Sequence, residues 1–237
     1  MMYIILFFVA LLYAGVGHGG ASGYLALMAL YGVAPEEMKP TALALNLLVS
    51  FASFVNYFLG KYFRPQIFVP LILGSIPMAY LGGRWQLDAE VYKQVLGVLL
   101  LFAVGRFFLV QDENKSLKQP NWILAVFIGG IIGLFSGMIG IGGGILLSPI
   151  LLLLYWTDQK QTAAISAGFI FVNSLSGLLG MISKGVQFSP NMWIYLLVTF
   201  AGGLVGAYLG ARRLNYRSIK FILAAVLFLA AIKLIFI

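Results

Sequence analysis

The sequence predicts an all-α polytopic membrane protein made of two inverted repeats, each beginning with an apolar segment that is interrupted by glycines. Three observations predict this fold. First, hydrophobic residues make up 62% of the 237 residues and charged residues only 9%, and the mean hydropathy is +1.00. A soluble domain carries about 25% charged residues, so this chain lacks the polar surface that a water-soluble globule needs. The other two observations are an internal repeat and a glycine-rich break in each half.

Each predicted half contains four apolar segments. They span 2–31, 41–60, 66–83 and 91–110 in the first half, and 121–156, 163–183, 191–210 and 218–237 in the second. The later segments are close to the about 20 residues that a helix needs to cross a bilayer. The first segment of each half is too long, because thirty residues at about 1.5 Å each reach roughly 45 Å and the hydrocarbon core is about 30 Å thick. We therefore predict that it is broken or re-entrant.

The two breaks read GVGHGGASG at Gly15–Gly23 and GMIGIGGG at Gly137–Gly144. Irregular backbone is tolerated at membrane depth only where protein or a water-filled cavity surrounds it. Half-helices that begin there would present free N–H groups and a positive dipole end, which suit an anion. Close helix packing through small residues is the alternative interpretation. The predicted substrate-binding glycines are Gly17, Gly19, Gly20, Gly142, Gly143 and Gly144.

A shift of about 127 residues aligns the two halves. GSIPMAYLGGR at Gly74–Arg84 matches GGLVGAYLGAR at Gly202–Arg212 at six of eleven positions, and Asn46 aligns with Asn173 in nearly the same frame. We therefore divide the chain into three parts. They are an N-terminal transmembrane repeat (1–110), a linker (111–120) and a C-terminal transmembrane repeat (121–237).

Positive charge in the loops favours segments that turn back. If each long segment crosses once, Lys and Arg divide eight to seven between the two sides, whereas they divide ten to five if each segment returns or crosses twice. Cytoplasmic loops carry the excess of Lys and Arg. The second arrangement therefore predicts inverted repeats, common in secondary transporters, with the linker in the cytoplasm and the protein in the cytoplasmic (inner) membrane. The side with five holds Lys39, Arg84, Lys93, Lys184 and Lys233.

Polar side chains follow each break. Asn46, Ser50 and Ser53 share one helix face, and Ser166, Asn173 and Ser176 share another. Amides and hydroxyls donate hydrogen bonds to an oxyanion without adding a fixed charge, although hydrogen bonding between helices is the alternative. The candidate substrate-binding side chains are Asn46, Ser50 and Asn173, together with His18 and Ser22 of the first break. His18 would titrate near neutral pH, and its counterpart in the second break is Ile141.

Several functions are excluded by the residue inventory. All seven acids fall in or near predicted loops, so the mid-membrane region carries no carboxylate, as suits an anion pathway. The absence of cysteine and the single histidine exclude thiolate and histidine-cluster metal sites, and we predict no cofactor. A serine protease is not predicted, because Ser22 would need a histidine from another helix. Lys and Arg occur singly or in pairs between apolar segments, so no nucleic-acid partner is predicted either.

These motifs together resemble the TauE/SafE-type sulfite exporter family. The resemblance covers nearly the whole chain and includes the breaks, AYLG-x-R, TALALNLL at 41–48 and SAGFIFVNS at 166–174. It implies transport, usually outward, of sulfite or an organosulfonate such as sulfoacetate. We expect a secondary transporter that works by alternating access around a midplane site. A passive anion channel lined by the same residues is the alternative, and a membrane scaffold is a third.

The expected partners are a small anionic substrate and the lipid bilayer. The sequence does not decide between a monomer and a homo-oligomer, and it does not name the anion.

Overall fold

The computed structural model describes residues 2–15, 17–85, 87–106, 116–186 and 188–212, with short pieces at 227–228, 231–232 and 234–235. Half of the predicted linker and most of the last predicted apolar segment lie outside these residues. The described part is built from helices and contains no strand. The helices are α1 (Met2–Gly15), α2 (Ala21–Leu30), α3 (Pro35–Leu59), α4 (Pro65–Arg84), α5 (Ala89–Arg106), α6 (Trp122–Ile139), α7 (Gly144–Leu153), α8 (Gln159–Ile182) and α9 (Met192–Arg212).

The helices have the composition of membrane spans. In the described part, α3, α4, α6, α8 and α9 are long and apolar enough to cross a bilayer. Large apolar side chains point outward, such as Ile123 at 82% and Leu197 at 72% exposed, while several serines and asparagines are buried. An extensive apolar outer surface suits lipid rather than water. The protein is therefore an all-α polytopic membrane protein, as the composition predicted.

Local signals set where the long helices begin. Pro35 and Pro65 occupy the first turns of α3 and α4, where the fixed φ of proline suits a helix and its missing N–H costs nothing. Asn121 caps α6, because its side chain accepts a hydrogen bond from the Leu124 N–H at 3.0 Å. Because Pro35 starts α3, this helix is longer at its N-terminus than the predicted segment 41–60.

The first segment of each half consists of two helices separated by a break, as predicted. α1 and α2 form the first pair and α6 and α7 the second, and α2 and α7 each have 10 residues. The second pair turns back. The Lys118 N–H donates to the Tyr155 carbonyl oxygen at 2.7 Å, so the chain just before α6 lies beside the chain just after α7.

The first pair, α1 and α2, starts and finishes at the opposite end of the bundle. The Tyr195 hydroxyl, near the start of α9, donates to the sulfur of Met2 at 3.8 Å. The Ser189 N–H, just before α9, donates to the hydroxyl of Thr41 near the start of α3 at 3.3 Å. The start of α1 and the start of α3, which follows α2, therefore both lie at the end of the bundle where α9 begins.

Helices of one half pack on helices of the other. α3 and α8 pack against each other, α4 packs on α6 and α8, and α9 packs on α1 and α3. Glycine permits the close approach of α4 and α6, since a Cβ at Gly74 or Gly82 would overlap a carbonyl oxygen of α6. Part of the glycine content thus serves helix packing. The second break begins in that contact, because a Cβ at Gly137 would overlap the Ala79 carbonyl of α4. The breaks then continue against α3 and α8.

Candidate functional site

Both breaks use left-handed backbone that glycine supplies. In the first, φ is +76° at Gly17 and +95° at Gly20, and in the second it is +86° at Gly140, +72° at Gly142 and +81° at Gly143. Other residues lose about 1–2 kcal/mol in this conformation. Gly20 and Gly143 are the residues immediately before α2 and α7. Each returning half-helix therefore begins at a left-handed glycine.

Asn46 of α3 lies between the two breaks and is fully buried. Its Oδ1 accepts a hydrogen bond from the N–H of Ala21, the first residue of α2, at 2.9 Å. A Cβ at Gly19 would overlap Oδ1, and a Cβ at Gly142 would lie 2.5 Å from Nδ2. One amide group therefore contacts both breaks.

The Nδ2 of Asn46 is weakly held. It lies 3.5 Å from the carbonyl oxygen of Ile141 and 3.4 Å from the hydroxyl oxygen of Ser174. Both distances exceed the 2.9–3.0 Å at which N–H···O bonds usually lie, by about 0.5 Å. The Nδ2 protons are therefore the donors in this amide that a ligand could recruit at least cost.

His18 connects the first break to the second half. Its Nε2 lies 2.9 Å from the Ser148 hydroxyl oxygen, which also lies 2.8 Å from the Ser166 hydroxyl oxygen. Ser148 donates its one proton to the Gly144 carbonyl at 2.8 Å. With its proton on that carbonyl, Ser148 has two lone pairs left for its neighbours, an arrangement that suits the His18 tautomer with the proton on Nε2. Through this chain α7 and α8 hold the first break in place.

Each capping glycine has a buried hydroxyl beside it that lacks a hydrogen-bond partner among the described residues. These hydroxyls belong to Tyr24 and Ser136. A Cβ at Gly20 would lie 2.7 Å from the Tyr24 hydroxyl oxygen, and a Cβ at Gly143 would lie 3.4 Å from the Ser136 Cβ. An unsatisfied buried polar group costs about 1–3 kcal/mol. Water or a ligand oxygen would remove this cost.

The remaining predicted residues lie in different surroundings. Gly17 packs against Ala163 at the start of α8, and Gly144 packs against Ile170. The hydroxyl of Ser22 donates to the Tyr13 hydroxyl at 2.9 Å, and that of Ser50 donates to the Asn46 carbonyl of its own helix at 2.6 Å.

Asn173 Nδ2 donates to the Phe169 carbonyl at 2.9 Å, while its Oδ1 has no partner in the described part. Of the predicted residues, the structure brings Gly19, Asn46 and Gly142 into contact, and it joins His18 to Gly144 through Ser148. Ser22 and Ser50 are bonded elsewhere. Substrate binding by any of them stays a prediction.

The face of α8 that contacts the breaks includes Ser166 of the predicted set but not Ser176. Ser166, Ile170 and Ser174 recur at four-residue intervals and face the breaks, as the contacts above show. Ser176 instead donates to the Ile76 carbonyl of α4 at 2.6 Å. The four-residue spacing would have identified this face, and Ser148, four residues after Gly144 on α7, could have been found in the same way.

The structural correspondence between α3 and α8 also differs from the alignment of the halves. Gly17 of the first break contacts Ala163 of α8, and Gly140 of the second break contacts Lys39 of α3. Because these two contacts correspond, each residue of α3 matches the residue 124 positions later in α8. The left-handed residues after these helices, Lys61 and Gly185, give the same shift.

At this shift Asn46 corresponds to Ile170, so its alignment with Asn173 is wrong. The connection 183–191 is four residues longer than 60–64, which explains the larger shift at Gly74 and Gly202. The centre is therefore asymmetric, since an amide from α3 corresponds to an apolar side chain from α8.

The buried side chains around the breaks are polar but uncharged, while the half-buried Lys39 packs against Gly140. Among the described residues, the buried polar side chains are hydroxyls, amides and His18, and none belongs to Asp, Glu, Lys or Arg. The described part also contains no group of three or more His, Cys, Asp or Glu that could hold a metal ion. Such a site can donate hydrogen bonds to a charged ligand without trapping it through a fixed opposite charge.

Comparison with known proteins identifies the family. The family profile described as sulfite exporter TauE/SafE matches residues 2–234. The chain belongs to the TauE/SafE sulfite exporter family. This TauE/SafE protein is 36% identical to the probable membrane transporter protein y4hK of Sinorhizobium fredii over 238 residues, which cover 98% of this chain and 96% of the relative.

Two other relatives are more distant. The probable membrane transporter protein YjnA of Bacillus subtilis is 26% identical over 96% of each chain. The sulfite exporter TauE/SafE family protein 1 of Arabidopsis thaliana is 28% identical over 40% of this chain and 21% of its own length. No solved structure matches. This TauE/SafE protein is a multi-pass membrane transporter.

Proposed function

We propose that this protein transports a small sulfur-containing anion, such as sulfite or an organosulfonate like sulfoacetate, by alternating access around the two glycine breaks. We propose export as the direction and the cytoplasmic membrane as the location. The observation that carries the proposal is the position of Asn46, whose buried amide contacts both breaks. The breaks supply helix N-termini, which attract negative charge.

The available donors suit the oxygens of an oxyanion. Asn46 Nδ2 is weakly held, and the hydroxyls of Tyr24 and Ser136 have no described partner. Hydrogen bonds to a charged group contribute about 1.5–3 kcal/mol each. A few such bonds would bind an anion, while the absence of a buried cation among the described residues would allow its release.

Alternating access needs two arrangements of the halves around one site. The return of α6 and α7 at the end of the bundle that holds Lys118, and of α1 and α2 at the opposite end, supports the proposal of inverted repeats. Lys118 and Lys160 belong to the side with more positive charge. We propose that this side, with the linker, faces the cytoplasm.

Counterflow in proteoliposomes tests the proposed transport. We expect sulfite or sulfoacetate trapped inside to accelerate uptake of the same labelled anion, with saturation, whereas acetate should not. Conductance without such acceleration would favour the passive channel. If no sulfur anion is exchanged or conducted, the proposed substrate class is wrong.

Asn46→Asp tests the site itself. Aspartate keeps an acceptor for the Ala21 N–H but loses the Nδ2 donors and adds a negative charge, so we expect exchange to fall by about tenfold or more. Asn56→Asp is the matched control on the same helix, because among the described residues the Asn56 side chain bonds to the Ala52 carbonyl of its own helix and to no group of either break. Equal exchange by Asn46→Asp and the wild-type protein would remove Asn46 from the site.

A further inference from the structure

A cavity of about 270 Å³ lies at the end of the bundle where α3 begins and α4 and α8 end. We call it the vestibule. Its lining includes Glu36, Lys39, Lys184, Trp85, Leu87 and Met181. It is separate from the amide site, because its lining includes neither Asn46 nor a glycine of the breaks.

The charges of the vestibule favour a single negative charge. Two ammonium groups and one carboxylate line it, which leaves a net charge of one positive unit. Glu36 and Lys39 are three residues apart on α3 and therefore neighbours on its surface. The Lys39 ammonium is also held 4.4 Å from the centre of the Tyr92 ring. Lys184 is exposed just after α8, and the connection that carries it, 183–191, contains no acid.

The rest of the lining is largely apolar. Trp85, Leu87 and Met181 offer a surface that a bare inorganic ion would leave wet. The volume lies just below the about 300–1,000 Å³ typical of sites for drug-sized ligands. The vestibule thus has the size and chemistry for a small organic anion, with its charged group at the lysines and its apolar part against Trp85.

The vestibule also adjoins the second break. A Cβ at Gly140 would lie 3.1 Å from the Lys39 Cα, so the backbone of a vestibule residue packs directly on the break. Tyr92, which holds the Lys39 ammonium, donates its hydroxyl proton to the carbonyl of Ile139 at 3.1 Å. An occupant of the vestibule would therefore lie next to the segment that leads to Gly142 and Asn46.

We propose that the vestibule is a second anion site, in which Lys184 and Lys39 bind the charged group of a small organic monoanion and Trp85 and Leu87 contact its apolar part. The inference rests on the proposed function only in placing this site on the transport route. An anionic lipid headgroup presents the same chemistry as a free anion, so the test distinguishes the two sources.

Quenching of tryptophan fluorescence by 4-nitrobenzenesulfonate tests the vestibule in the full-length protein, reconstituted in phosphatidylcholine nanodiscs. We expect saturable quenching that Trp85→Phe removes. Lys184→Gln should raise the dissociation constant about fivefold or more and weaken its dependence on salt. Lys160→Gln is the matched control, since this lysine bonds to the Tyr62 hydroxyl at the opposite end of the bundle. It should leave the dissociation constant unchanged.

The outcomes separate the vestibule from the proposed function. Quenching that Lys184→Gln leaves unchanged would overturn the second site, even if sulfite exchange is intact. Quenching that depends on Lys184 and Trp85 would support it, even if no sulfur anion is exchanged. Loss of quenching in nanodiscs that also contain phosphatidylglycerol, but not in phosphatidylcholine alone with added salt, would assign the vestibule to a lipid headgroup and overturn the free anion.

Discussion

The two glycine breaks have the same backbone but different surroundings. At the first, the leading N–H of α2 is capped by Asn46 Oδ1, and the ring of Tyr24 fills the space beside Gly20. At the second, the leading N–H of α7, on Gly144, has no partner among the described residues. Its neighbouring unpartnered hydroxyl belongs to the small side chain of Ser136.

This difference indicates how one site could be divided between two similar halves. At the first break the leading N–H is bonded to Asn46 Oδ1, so this break fixes the position of Asn46, although the Tyr24 hydroxyl beside it has no described partner. The second break leaves a backbone donor and a hydroxyl unsatisfied, and both would gain from an anion's oxygens. We infer that the second break is the binding side and the first its support. Three experiments test this difference between the two breaks.

The largest effect is expected from Gly142→Ala. At φ +72° the new Cβ would lie 2.5 Å from Asn46 Nδ2 and 2.9 Å from both Ile170 and Ser174, so we expect loss of transport and of stability. Gly32→Ala is the matched control, with φ +74° and nothing within 4 Å. It should lose only the about 1–2 kcal/mol of backbone strain and keep transport. Counterflow per folded protein and the melting temperature measure both variants.

If Gly142→Ala transports as well as Gly32→Ala, close packing of the break around Asn46 is not needed for transport. Transport would then respond only to the backbone strain that both variants share.

An intermediate effect is expected from removing the two unpartnered hydroxyls. Ser136→Ala should reduce anion affinity by about tenfold, the value of one hydrogen bond to a charged group. Tyr24→Phe should reduce it less than Ser136→Ala, because the leading N–H beside Tyr24 is already bonded to Asn46 and the one beside Ser136 has no described partner. Neither hydroxyl has a described partner, so neither melting temperature should fall. A larger effect of Tyr24→Phe on the Michaelis constant would reverse the assignment of the binding side.

The smallest effect on transport is expected from Ser148→Ala. This change leaves His18 Nε2 and the Ser166 hydroxyl without their shared partner, so we expect the free energy of unfolding to fall by about 1–3 kcal/mol. Ser183→Ala is the control, since that hydroxyl bonds to the Gly180 carbonyl at the exposed end of α8. Chemical unfolding in detergent measures both. A Ser148→Ala protein as stable as Ser183→Ala would show that the His18 chain does not support the first break.

Much of the fold could be predicted because apolar composition and segment length are local properties. The two overlong segments and their glycines predicted the pairs α1–α2 and α6–α7, since no straight helix of that length fits a bilayer. The start of α3 was misplaced because Pro35 and Glu36 look like loop residues, although both suit the first turn of a helix. The site was harder to predict, since it depends on which faces of α3 and α8 meet.

Asn46 and the break glycines could be chosen as candidates from the sequence, because an amide or a run of glycines inside an apolar segment has few explanations. The partners of Asn46 could not be predicted in this way. The four extra residues between α8 and α9 changed the alignment of the halves, so Asn173 appeared to match Asn46 when Ile170 does. Ser136 carries no signal of its own, because serine is common in packed membrane helices. Ser148 is indicated only by its four-residue spacing from Gly144.

Residue composition and order are enough to predict a helical membrane protein with two broken segments, because burial in lipid requires apolar residues and these breaks use glycine. The folded structure adds that one amide contacts both breaks, that the leading N–H of the first break is capped and that of the second is not, and that a charged vestibule adjoins the second. These features depend on contacts between residues distant in sequence, from 25 positions apart for Asn46 and Ala21 to 95 for Asn46 and Ile141, which no local pattern in the chain records.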